Sequence, residues 1–68
     1  MARVSYSVFL ASNGEPLRTK MPARNGKADI RFDVAAIQEA YPGRQIRVNI
    51  YEGDEMVEST LLPNGDSI

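Results

Sequence analysis

Apolar and polar residues alternate in two separate stretches of this chain, and each stretch folds back on itself about a glycine turn. In the second stretch Ile46, Val48 and Ile50 alternate with Gln45, Arg47, Asn49 and Tyr51, the period of two expected of a strand with one buried face. Gly53-Asp54 follows as a two-residue turn, glycine supplying the positive φ needed at its first position. Closing there sets Ile50 opposite Val57, Val48 opposite Ser59 and Ile46 opposite Leu61. A slip of one residue would oppose Ile50 to Glu58 and Val48 to Thr60 and spoil the apolar face. The amino-terminal stretch has the same logic. Val4, Tyr6, Val8 and Leu10 alternate with Arg3, Ser5, Ser7 and Phe9, and Asn13-Gly14 is a strong hairpin turn signal. A two-residue turn there predicts Leu10 opposite Leu17, Val8 opposite Thr19 and Tyr6 opposite Met21. Pro16 and Pro22 then point their nitrogens away from the first strand, which marks the second as an edge strand.

Between the hairpins, residues 23–27 form a turn around Asn25-Gly26, and residues 28–32 read as a short strand-like crossing with Ile30 and Phe32 on one side. A regular third strand there would put Pro22 in a bonded position, so a bulge or an irregular crossing is expected. Asp33 is a good helix N-cap, and Val34, Ile37 and Tyr41 with Ala40 make an apolar stripe at helical spacing over residues 34–41. Pro42-Gly43 stops it. So short a helix must dock on the sheet to persist. The expected fold is α+β: a four- to five-stranded, mainly antiparallel sheet with one short helix on one face, in the order ββαββ. That order resembles the β-grasp arrangement, in which the first and last strands run parallel at the sheet centre; the resemblance is one of order alone and implies no function. Residues 1–62 are expected to form one domain, with 63–68 a frayed tail.

Composition narrows the chemistry more than it suggests any. With 68 residues there is one modest core. The chain has no Cys and no His, which removes the strongest side-chain nucleophile and the commonest acid–base group and metal ligand. No glycine-rich phosphate loop occurs. No enzyme activity and no cofactor are expected, and Glu52, Asp54, Glu55 and Glu58 read as a solvated hairpin tip, not a metal site. No run approaches the ~20 apolar residues of a membrane span, so a cytoplasmic protein without membrane contact is expected. Net charge is −1, yet all eight Lys and Arg precede residue 48, while residues 48–68 hold five acids and no base. The surface is therefore dipolar if the two parts occupy different regions.

Two candidate surfaces remain. Phe9, Tyr51 and Met56 fall on the sheet side opposite the apolar stripes, with Arg18, Arg47, Asn49 and Glu58 expected around them. Apolar anchors with a polar rim are the composition of a protein-binding surface, with Arg18, Lys20 and Arg47 steering an acidic partner. This points to a non-catalytic interaction module, an adaptor or an inhibitor of the kind that phage and plasmid accessory proteins supply to occlude a larger host complex. A homodimer through an edge or the open face is a further expectation. The alternative is nucleic-acid binding through the basic segment Arg18, Lys20, Arg24, Lys27 and Arg31, although no aromatic motif for base stacking interleaves it.

Overall fold

A computed structural model describes residues 3–63 and 65–68; Met1 and Ala2 of the expected domain and Asn64 of the expected tail lie outside the described residues. Two hairpins flank one helix: β1 Val4–Leu10, β2 Pro16–Pro22, α1 Lys27–Ala40, β3 Ile46–Glu52 and β4 Glu55–Leu62. The four strands form one open antiparallel sheet in the order β2-β1-β3-β4. The ββαββ order and the single helix agree with the sequence reading. The β-grasp pairing does not: β1 neighbours β3 and runs antiparallel to it, and β4 lies at the far edge. A continuous ladder explains the choice, since Tyr6, Val8 and Leu10 meet Ile50, Val48 and Ile46 directly, joining the two strongest apolar stripes at the centre.

The helix is longer than expected. It starts at Lys27, so residues 28–32 are helical, and no fifth strand occurs among the described residues. Ile30, Val34 and Ile37 are its buried residues, an i, i+4, i+7 stripe that extends the stripe seen in the sequence by one turn. Gly26 takes the N-cap position at φ 65°, a conformation that glycine adopts cheaply. Asp29 in the first turn accepts from the Asn25 backbone N–H at 3.0 Å and from Asn25 Nδ2 at 3.2 Å. Asp33, expected as the cap, sits in mid-helix with a different task. Pro42-Gly43 ends the helix as expected, with Gly43 at φ 75°.

Both hairpins depart from regular pairing. In β1–β2, Tyr6 faces Met21 as expected, but Val8 faces Arg18 and Phe9 faces Pro16. The loop runs over four residues: Leu10 N–H donates to Glu15 O and Gly14 N–H to Leu10 O, while Asn13 Oδ1 accepts from the Glu15 N–H. Irregular pairing along β2 then restores the register by Met21. In β3–β4, the Gly53-Asp54 turn closes Glu52 on Glu55 and Tyr51 on Met56, after which Val57 bulges out of register. Ile50 therefore opposes Glu58, Val48 opposes Thr60 and Ile46 opposes Leu62, the register that the sequence reading discards. Two gains account for it: Leu62 enters the core at 4 % exposure, and Glu58 reaches Lys27 of the helix at 3.1 Å.

The core lies between the helix and one sheet face, from Tyr6, Val8, Leu10, Ile46, Val48, Ile50 and Leu62 below and Ile30, Val34 and Ile37 above. The tail, expected to fray, folds back. Gln38 Nε2 donates to Asp66 O at 2.9 Å, and Ile68 packs against the core.

Candidate protein-binding face

One side of the sheet carries no helix. Strict alternation in β1 and β3 fixes what it displays, and the pairing arranges those residues in three rows across the strands. Pro22, Ser5, Tyr51 and Met56 form one row; Pro16, Phe9, Arg47 and Leu61 form another. Between them runs a row of small polar groups, Ser7, Asn49 and Ser59. The surface is thus two apolar-ended ridges flanking a polar trough.

Cationic groups lean into that trough from both ends. Arg47 Nη1 donates to Ser59 Oγ at 3.2 Å, and Ser59 Oγ donates to Asn49 Oδ1 at 2.7 Å. From the other side the Lys20 ammonium stands 3.7 Å from the Tyr51 ring centroid, an attraction to the ring quadrupole. Lys20 reaches it from β2 because its backbone N–H is tied to Ser7 Oγ at 2.9 Å. Ser7 is buried beneath this contact.

Five of the six residues expected at a binding surface share this face: Phe9, Lys20, Arg47, Tyr51 and Met56. Arg18 does not. The irregular register of β2 turns it to the helix side, where Nε and Nη2 both donate to the Asp33 carboxylate, at 3.0 and 3.2 Å. The Tyr6 hydroxyl donates to the same carboxylate, so β1, β2 and α1 are pinned at one point. Burial first, then this bond and the Asp33 charge, push the Tyr6 hydroxyl well above its ordinary pKa. Glu58, expected near Tyr51, likewise lies on the helix side. Leu61 is a member that the sequence reading misses, because a bulge-free hairpin turns it inward opposite Ile46; it is 44 % exposed. The adjacent pair Leu61-Leu62 was the ambiguous signal, since either residue could have been the inward one.

The basic segment does not form a strip. Arg18 is bound to Asp33, Lys27 to Glu58, and Lys20 lies over Tyr51, leaving Arg24 and Arg31 exposed near the start of the helix. A cleft of roughly 260 Å³ opens on the helix side between Val4, Ile50, Val57 and the helix start. It falls below the ~300 Å³ at which small-molecule sites begin. Among the described residues no acidic group is arranged to hold a metal ion, and no helix is long and apolar enough to cross a membrane. Comparison with known proteins finds no matching family model, no matching curated protein and no matching solved structure.

Proposed function

We propose that the domain is a non-catalytic protein-interaction module that binds a protein partner through its open sheet face. The observation that carries this is the three-row surface itself. Phe9, Leu61, Tyr51 and Met56 stand on the side that the helix does not cover, Phe9 and Tyr51 half-buried, around a trough where Lys20 and Arg47 are already held in place. Such a patch offers apolar anchors for affinity and fixed charge for orientation. The partner is acidic where it meets the trough. The small size and lack of cofactor chemistry suit a cytoplasmic adaptor, or an inhibitor from a mobile element that occludes a larger complex. Nucleic-acid binding gains nothing from the placement of the five bases.

The test is capture from host extract by the intact domain, with bound proteins identified by mass, set beside Phe9→Ala and Tyr51→Ala. Circular dichroism checks that both variants stay folded. The reading expects one acidic protein to be retained by wild type and lost by both variants. Equal retention by the two variants would remove the open face from consideration.

A further inference from the structure

The outward side of α1 is a large surface that the open-face reading leaves without a role. Helical spacing places Ala28, Phe32, Ala35, Ala36 and Glu39 opposite Ile30, Val34 and Ile37. All five are exposed, and Phe32, at 81 %, exceeds every other exposed large apolar side chain described. The core closes without this ring. Alanines at i−4, i+3 and i+4 leave a low collar around it, over which a second helix can approach closely. The ridge also carries both signs of charge in order. Arg31 flanks its amino-terminal half, with Asp29 on the other flank already bonded to Asn25 and Arg24 in the turn before the helix, and Glu39 lies towards its carboxy-terminal end; Arg24, Arg31 and Glu39 make no ion pair among the described residues.

We propose that this ridge is a two-fold interface between two copies of the chain, with α1 packed antiparallel on α1. A two-fold contact has to be complementary to itself, and this ridge is. Phe32 of each copy lies on Ala35 and Ala36 of the other. Each Glu39 arrives at the amino-terminal half of the facing helix, beside Arg31 and Arg24 and at the positive end of the helix dipole. A partner of a single charge sign would meet its own sign at one end of the ridge. One helix face buries less than the ~1,200 Å² of a stable specific interface, so the dimer is weak. Its consequence is geometric: the two open sheet faces point away from each other, giving a bivalent binder.

Sedimentation equilibrium of the full chain over about 0.01 to 1 mM tests this. Wild type should dimerise within that range. Phe32→Ala and Glu39→Arg should each weaken the dimer tenfold or more, and Glu39→Arg combined with Arg31→Glu should recover it. These side chains are exposed, so folding is retained, which circular dichroism verifies. A wild type that stays monomeric, or a dimer indifferent to Phe32→Ala, overturns the proposal. A dimer lost on Tyr51→Ala but kept by Phe32→Ala would place the contact on the open sheet face. The capture experiment is independent of these results, so either reading can fail alone.

Discussion

The Lys20 ammonium sits 3.7 Å from the centre of the Tyr51 ring, although β1 separates their two strands. The path is clear because the β1 residues beside this contact, Ser5 and Ser7, are small. Lys20 is also the one non-glycine residue described with a positive φ, 47°. Strained backbone of this kind, worth roughly 1–3 kcal/mol, persists only where surrounding bonds hold it. Here the bond from Lys20 N–H to Ser7 Oγ does so, and the strain sets a cation over the apolar end of the proposed binding face.

Replacing Lys20 by Gly and by Ala separates strain from the ring contact. Both variants lose the cation–π attraction, but only Gly relieves the backbone. Lys20→Gly should therefore be more stable than Lys20→Ala by about 1 kcal/mol in urea unfolding. Equal stabilities would mean that the bulge imposes no strain.

The Val57 bulge decides which of two neighbouring leucines is structural. Leu62→Ala should cost about 2–4 kcal/mol, because it empties a core position. Leu61→Ala should stay within about 0.5 kcal/mol while weakening partner capture. Deletion of Val57 should be tolerated, since it leaves Tyr51 on Met56 and Ile50 on Glu58 in regular succession. In a bulge-free hairpin the same deletion would turn every later residue of β4 over and unfold the domain. Urea midpoints of the three variants distinguish the two registers.

That contrast shows where the chain could be read and where it could not. Alternation in β1 and β3 named the inward and outward residues correctly, and with them Phe9 and Tyr51, because central strands have ladders on both sides to enforce their parity; Met56 follows from the tight turn, which pairs it with Tyr51 before the bulge. The edge strands β2 and β4 are held on one side only. They accept bulges, and a bulge is settled by distant contacts: Lys27 with Glu58, and Asp33 with Arg18. No local pattern at Val57 or Lys20 reports those partners. The helix start was missed for a related reason. Asp33 is a strong capping residue by type, yet Ile30 four residues before Val34 continued the apolar stripe, and tertiary burial outweighed the cap preference.

Ile30 and Phe32, grouped on one side of a strand-like crossing in the sequence reading, should respond oppositely to truncation. Ile30→Ala should cost about 2–5 kcal/mol, since the side chain is fully buried between helix and sheet. Phe32→Ala should change monomer stability by no more than about 0.5 kcal/mol at micromolar concentration. A large loss for Phe32→Ala under those conditions would place the ring in the core.

Asp29 should contribute to acid sensitivity. Its bonds from Asn25 hold the carboxyl below its ordinary value of 3.8, so its contribution is present above about pH 4 and is lost as pH falls further. Asp29→Ala should therefore flatten the decline in thermal midpoint below about pH 4. An unchanged decline would show that the helix start does not depend on this carboxylate.

The Tyr6 hydroxyl gives the matching effect at high pH, with the opposite sign. Its folded-state pKa is raised, by burial first and then by the bond to Asp33, while in the unfolded chain it titrates near 10. The neutral hydroxyl is therefore the form that the fold favours. Its contribution is complete below about pH 10 and drains away as pH rises beyond it, because the unfolded chain releases the proton first. Tyr6→Phe removes the hydroxyl and one of the bonds that Asp33 accepts. At pH 7 this variant should be less stable by about 1–2 kcal/mol. Arg18 still neutralises Asp33 there, through two bonds, which keeps the cost from rising to that of an unpaired buried charge. Above about pH 10 the wild type should lose stability and the gap to Tyr6→Phe should narrow. Urea unfolding at several pH values between 7 and 11 measures the gap directly. A gap that stays constant across that range would mean that Tyr6 titrates alike in both states, and that the Tyr6–Asp33–Arg18 cluster does not join β1, β2 and α1 as described.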